Sequence, residues 1–367
     1  MHIKAAVVTG TNQLSIETID LAPPQPTELL IKLHAAGVCH SDLHTFRGEL
    51  SVAPPLVLGH EGAGVVEAVG SAVTRLKPGD HVLINWLPAC EQCAHCLNGH
   101  YNLCERYGST IYAGSLLDGT SRLHTSTGIS LKHYLGAATM AEYAVIDQAS
   151  AIPIPADVPF EVAAVIGCAV ATGVGAVVKT AQVAVGSSAA VIGCGGIGLS
   201  MLQGCRLAGC HPIIAIDVFD QKLEFARTMG ATHTINARQQ DVFETLRTIT
   251  GIGPDTVFDS VGATGTISQA LLGARPGGTA VIVGLHAAKQ EVPLPIASLI
   301  YDNKRLLGCF AGSMRPKVDL PILVELYRAG RLDLDPLISQ RYALDQLPQA
   351  FADMEAGAIA RGVITFD

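Results

Sequence analysis

Val191-Ile192-Gly193-Cys194-Gly195-Gly196-Ile197-Gly198 carries the spacing G-x-G-x-x-G where an apolar run, 189–193, gives way to a helix-forming one, 196–208. The hexapeptide alone says little, because Gly supplies 38 of the 367 residues. Its setting says more. A strand precedes it, a helix follows it, and Asp217 ends the next strand-like run 19 residues after Gly198. In a strand-turn-helix unit Gly193 permits the tight turn, Gly195 lets the backbone approach a pyrophosphate, and Gly198 lets the helix pack on the sheet. The helix start at Gly196 and Ile197 offers free N–H groups and a positive dipole end to phosphates. Asp217 suits the hydroxyls of an adenosine ribose and repels a 2′-phosphate, so NAD is expected rather than NADP. Lys222 reads either as a further ribose contact or as a solvated lysine of the first helical turn.

Working outward, strands alternate with helices from about residue 170: strands at 212–217, 256–259 and 279–284, helices at 221–229 and after 259. That is a parallel, doubly wound sheet. Upstream, short strand-like runs at 3–9, 28–36, 62–69 and 81–86 are punctuated by turns such as Lys77-Pro78-Gly79-Asp80, giving a β-rich part. After about 310 the alternation fades, and 362–366 reads as a closing strand. The longest apolar stretch, 162–178, is 17 residues flanked by Glu161 and Lys179. Spanning a bilayer takes about 20 strongly apolar residues, so a buried helix is expected.

Cys90, Cys93, Cys96 and Cys104 read C-x₂-C-x₂-C-x₇-C. Four thiolates so close can enclose one tetrahedral Zn²⁺ with no open position, a structural site. Disulfides are the alternative. A dispersed set accompanies them: Cys39 in Gly-Val-Cys-His-Ser-Asp, His60 in Gly-His-Glu-Gly-Ala-Gly, and Cys168 in Gly-Cys-Ala-Val-Ala-Thr-Gly. Cys₂His with an open fourth position is the pattern of a catalytic zinc. Spacing alone does not establish this set, and a buried free Cys is the other reading of Cys168.

The bulk numbers fit this picture. A formal charge of −8 argues against nucleic-acid and anionic-membrane partners. The first residues, MHIKAAVVTGTNQLSIE, show no apolar signal core, so a cytoplasmic protein with reduced thiols is expected, and clustered cysteines there bind metal.

Together these motifs, in this order over nearly the whole length, resemble the zinc-containing medium-chain alcohol dehydrogenases. The run from Asp118-Gly119-Thr120-Ser121-Arg122 to His133-Tyr134-Leu135-Gly136 resembles the liver-type, class I/class III branch. The resemblance implies a β-rich, GroES-like catalytic domain, discontinuous over 1–169 and 310–367, and a Rossmann NAD-binding domain over 170–309. It implies two Zn²⁺ per chain and a homodimer joined through the coenzyme domains, with tetramers among microbial relatives. Cys39, His60 and Cys168 become the catalytic-zinc ligands. Glu61 is implied behind the metal, and Asp42 on the second nitrogen of His60, fixing its tautomer. The zinc lowers the pKa of an alcohol, and hydride passes to nicotinamide C4. Ser41 is implied to take the alcohol proton and pass it through the coenzyme ribose to His44. Arg361 matches a pyrophosphate contact, and Val261, Val283 and Leu285 match the nicotinamide side.

His40 departs from the branch, which commonly has Arg beside the pyrophosphate. Arg is always charged, whereas His titrates near neutrality, so NAD affinity is expected to weaken as pH rises. Trp86, Leu50, Tyr134, Leu135 and Leu285 match lining positions of the substrate channel. An apolar, aromatic wall suits benzylic, allylic or medium-chain primary alcohols. The rival within the family, a thiol-adduct formaldehyde dehydrogenase, uses an Arg where Gly108 stands and a polar residue where Leu50 stands. A noncatalytic NAD- or zinc-binding protein on the same fold is a third reading.

Overall fold

The strand Ala189–Ile192 lies fourth from the far edge of a six-stranded sheet in which every neighbour is parallel. The order is His233–Asn236, Ile213–Asp217, Ala189–Ile192, Thr256–Asp259, Thr279–Ile282 and Arg305–Gly308. In chain order this is 3-2-1-4-5-6, the doubly wound arrangement whose order reverses beside Ala189–Ile192. The computed structural model describes residues 1–50, 52–284 and 291–366. Within it the chain forms two compact units, Ala169–Met314 and Met1–Cys168 with Arg315–Asp367.

In the first of these, the strands are short apolar runs buried on both faces. Ala190, Ile192, Ile214, Ile216 and Val257 share one cluster with Leu246 and Leu271 of flanking helices. Burying each such aliphatic side chain contributes about 1.5–3 kcal/mol. The helix Gly196–Leu207 turns Leu199, Met201, Leu202 and Cys205 inward, while Asp241 caps the helix Val242–Thr250 through the Glu244 N–H at 2.9 Å.

The other unit holds a closed barrel of five strands and a seven-stranded sheet. Ile3, Val7, Ile19, Leu21, Leu123 and Leu131 fill the barrel. In the sheet, Glu28–Val38 pairs with Gly62–Val69, with Tyr143–Asp147 and with the closing strand Arg361–Thr365. Expected strands are found to within two residues. The strand Gln13–Leu21, unforeseen because its inward residues are interrupted by Glu17, Thr18 and Asp20, completes a hairpin with His2–Gly10. The fading pattern after 310 conceals the helices Pro316–Arg328 and Leu347–Glu355, which return to this unit. The helical run Phe160–Ala181 is long and apolar enough to cross a membrane, but 89% of its apolar window is buried within the fold.

Candidate metal and coenzyme sites

His60 is reached through a turn at Gly59, whose φ of +96° and the Met140 backbone nitrogen 2.3 Å from a would-be Cβ leave room for no other residue. Cys39 follows the strand Glu28–Val38 and caps the start of the helix His40–Phe46. Cys168 lies in a widened helical turn, Ile166–Val170. Chain segments far apart in sequence thus bring together Cys39, His60, Glu61 and Cys168, all buried, with one ligand atom from each within 4.8 Å of the others.

Asp42 organises this cluster. Its carboxylate is fully buried and accepts from the Cys39 N–H at 3.2 Å and the Gly59 N–H at 3.1 Å. It meets Nδ1 of His60 at 3.3 Å, which leaves Nε2 as the ligand atom. Burial opposes charge on His60, but Asp42 and then Cys39 outweigh it and push the imidazole up to about 10. This field favours a cation. Glu61 pairs with Arg361 from the closing strand, and both side chains are buried. Glu61 Oε2 and Arg361 Nε find no hydrogen-bond partner among the described residues. Two thiols, an imidazole and a carboxylate oxygen with an unused lone pair form a fitting donor set for zinc.

Around it, Ser41 Oγ lies 3.7 Å from Cys39 Sγ, and the Tyr134 hydroxyl donates to the Ser41 carbonyl at 2.9 Å. His44 pairs through Nδ1 with Glu49, a partner that sequence reasoning missed. His40 is exposed, its ring 6.3 Å from that of His44. Trp86 and Tyr134 each meet His60 edge-on, with centroids 6.0 and 5.6 Å away. Leu135 is buried and Leu50 half-buried.

The second cluster is Cys90, Cys93, Cys96 and Cys104, whose sulfurs also lie within 4.8 Å of one another. Cys90 and Cys96 Sγ are 4.0 Å apart. Tetrahedral zinc with Zn–S of about 2.3 Å would place sulfurs about 3.8 Å apart, so the set fits a closed site. The Cys90 N–H donates to Cys104 Sγ and the Cys93 N–H to Cys90 Sγ, each at 3.3 Å, as suits thiolates. Among these cysteines none is in a disulfide.

In the coenzyme unit, a Cβ on Gly198 would lie 1.8 Å from the Gly193 carbonyl oxygen, so the helix is packed as closely as glycine permits. A Cβ on Gly195 would meet nothing within 4 Å, the open approach a pyrophosphate needs. Asp217 accepts from the N–H groups of Cys194 at 2.8 Å, Val218 at 2.7 Å and Phe219 at 3.1 Å, which fixes its carboxylate at the end of the strand. Lys222 stands over the Phe219 ring, 5.3 Å from its centroid. Val261 is exposed and donates its N–H to Asp259, while Val283 bonds the Asp259 carbonyl. Leu285 lies outside the described residues.

Residues 25–156 match the alcohol dehydrogenase GroES-like domain and 196–327 the zinc-binding dehydrogenase domain. The chain is 39% identical to the class-3 alcohol dehydrogenase of Myxine glutinosa, over 99% of this chain and 98% of that one. It is 36% identical to the S-(hydroxymethyl)glutathione dehydrogenase of Paracoccus denitrificans over the full length of both. The crystal structure of benzyl alcohol dehydrogenase from Acinetobacter calcoaceticus superposes with a TM-score of 0.94 at 31% identity, over 100% of each chain.

Proposed function

We propose, for a chain that belongs to the zinc-containing medium-chain alcohol dehydrogenase family, that Cys39, His60 and Cys168 hold the catalytic zinc and that primary aromatic, allylic or medium-chain alcohols are oxidised there. The protein is an NAD-linked alcohol dehydrogenase with two zinc ions per chain. The observation that supports the ligand assignment is the convergence of four buried donor atoms within 4.8 Å.

When bound, zinc supplies Lewis acidity toward a substrate oxygen and NAD accepts the hydride. The chain's own residues do the rest. Asp42 holds the His60 tautomer. Ser41 would take the substrate proton and His44, whose ring pairs through Nδ1 with Glu49, would pass it on to solvent. Glu61 sits behind the metal, and Arg361 balances its charge and serves the coenzyme pyrophosphate together with His40. Gly193, Gly195, Gly196, Ile197 and Gly198 cradle that pyrophosphate, Asp217 and Lys222 the ribose, and Val261, Val283 and Leu285 the nicotinamide. The Cys90, Cys93, Cys96 and Cys104 set holds the structural zinc. Trp86, Tyr134, Leu135 and Leu50 wall the alcohol channel.

A homodimer is supported by the strand Arg305–Gly308, which among the described residues has a neighbour on one side only, and by the adjoining helix, whose Ile296, Ile300 and Tyr301 are 53, 66 and 87% exposed. Oxidation of a glutathione adduct of formaldehyde is the second reading, favoured by the likeness to the S-(hydroxymethyl)glutathione dehydrogenase of Paracoccus denitrificans. NAD⁺ reduction with benzyl alcohol, cinnamyl alcohol, hexanol and ethanol, beside formaldehyde with glutathione, separates the two. Zinc is counted on the same sample. Turnover confined to formaldehyde with thiol would displace the first reading, and fewer than two zinc per chain would displace the ligand assignment.

A further inference from the structure

Tyr134 is buried and meets the His60 ring edge-on, the planes at 84° and the centroids 5.6 Å apart. Phenylalanine would pack in the same way, so the ring alone does not account for a tyrosine. A buried phenol brings a polar atom that needs a partner. Here the hydroxyl donates to the Ser41 carbonyl at 2.9 Å, across 93 residues of sequence. Ser41 stands in the first turn of the short helix His40–Phe46, next to Asp42.

The backbone fixes Tyr134 before its hydroxyl reaches Ser41. The residue follows the strand Ser130–His133 and opens a tight turn, in which its own carbonyl accepts from the Ala137 N–H at 3.0 Å and the Ala138 N–H at 3.2 Å. Leu135 at φ +49° and Gly136 at φ +68° carry that turn through the left-handed region, which a leucine occupies only where its surroundings hold it. The phenol is thus a spacer of fixed length between this turn and the helix. On the ligand side, Asp42 already ties the helix start to the Cys39 and Gly59 N–H groups. The Tyr134 hydroxyl adds a tie on the Ser41 peptide itself. Such a tie matters for proton transfer. A base must come within about 2.6–3.2 Å of the oxygen it serves, and a misplacement of about 1 Å can cost about 100-fold in rate.

We propose that Tyr134 is a positioning residue of the proton relay, whose hydroxyl holds the Ser41 carbonyl and so places Ser41 Oγ against the substrate oxygen. This inference rests on Ser41 being the group that takes the substrate proton. Tyr134→Phe removes one oxygen and keeps the ring. Parent, Tyr134→Phe, Ser41→Ala and the double variant are each mixed rapidly with NAD⁺ and benzyl alcohol, or with S-hydroxymethylglutathione if the parent turns over only that. The rate of the first NADH formed per site is read, so that product release does not mask the chemical step. It should fall about 10-fold in Tyr134→Phe, with its dependence on substrate concentration unchanged. In the Ser41→Ala background the same change should do nothing further, because the hydroxyl acts through the serine. An unchanged rate in Tyr134→Phe, equal losses in the two backgrounds, or a loss seen only as weaker substrate binding would make Tyr134 a channel wall and nothing more. Zinc is counted on every protein. A Tyr134→Phe protein short of the parent's zinc would make the hydroxyl a support of the metal site and overturn the inference. A Ser41→Ala protein as fast as the parent would overturn the relay reading, and this inference with it.

Discussion

Arg122 grips Glu28 across 94 residues, with Nε 2.9 Å from Oε2 and Nη2 2.8 Å from Oε1, and both side chains are buried. The forked geometry matches the planar guanidinium to both carboxylate oxygens. Glu28 begins the strand whose last residue, Val38, precedes Cys39. The pair thus fastens the run from Asp118 to Arg122 to the strand that leads into Cys39. Replacing one partner leaves the other charged and buried, which costs about 3–5 kcal/mol. Arg122→Met should lower the urea midpoint accordingly. Glu28→Met with Arg122→Met should recover most of the loss, because the uncompensated charge is gone.

His133 lies behind the same arginine. Its Nε2 accepts the Arg122 backbone N–H at 3.1 Å, which requires a neutral ring. Burial, then the Arg122 charge, push its pKa down to about 3. An unfolded histidine titrates near 6.5. As pH falls below that value the unfolded chain takes up a proton that the fold refuses. Stability from this residue is therefore full above about 6.5 and declines toward 3 by about 1.4 kcal/mol per pH unit. His133→Gln, which keeps an acceptor, should flatten the loss of stability between pH 7 and 5 relative to the parent. Parallel urea-midpoint profiles in the two proteins would refute this.

Asp42 holds three groups at once, and its replacement tests the ligand set. Asp42→Ala should weaken the catalytic metal about 10–100-fold, as loss of an oriented carboxylate behind a histidine ligand does elsewhere. Dialysis against a mild chelator should take the variant from two zinc per chain to one. The retained zinc should be the four-cysteine ion, which Asp42 does not touch. Loss of both ions together would mean that the variant had unfolded.

What was legible in the sequence is what local pattern encodes. Gly193, Gly198 and Asp217 read correctly as a turn, a close approach and a strand end because those roles fall within one strand-turn-helix unit. The four-cysteine loop was legible for the same reason. Cys168 was not. It lies 108 residues from His60, and only the fold brings it beside Cys39, so its reading leaned on family resemblance. Pairings between distant segments left no trace at all: Glu28 with Arg122, and Glu61 with Arg361. Each is a buried polar group whose partner is chosen by topology, and no periodicity records it.

His40 is exposed, and the proposed function gives it a place beside the coenzyme pyrophosphate. A charge-assisted hydrogen bond to phosphate contributes about 1.5–3 kcal/mol, so His40→Arg should tighten NADH binding by about 10-fold or more at pH 8. The parent should lose affinity as pH rises through the range in which an imidazole gives up its proton, and the variant should not. Fluorescence titration of NADH at several pH values reads both. Coincident profiles would remove His40 from the coenzyme site.

Gly108 decides between the two substrate readings. It sits inside the helix Glu105–Ala113, and a Cβ there would meet nothing within 4 Å. Neither backbone conformation nor crowding demands glycine, which costs a helix interior about 1 kcal/mol relative to alanine. Gly108→Ala and Gly108→Arg should both raise stability by up to about that amount. The arginine variant alone should also gain turnover of S-hydroxymethylglutathione, since a guanidinium can hold the thiol's carboxylate. Comparing kcat/KM for the adduct and for benzyl alcohol across parent, Ala and Arg proteins separates the side chain's charge from its bulk. A gain in the arginine protein alone would identify the missing guanidinium as what sets this chain apart from the adduct-using relatives. Brisk adduct turnover already in the parent would instead mean that another cation holds the carboxylate, and the second reading would then replace the first.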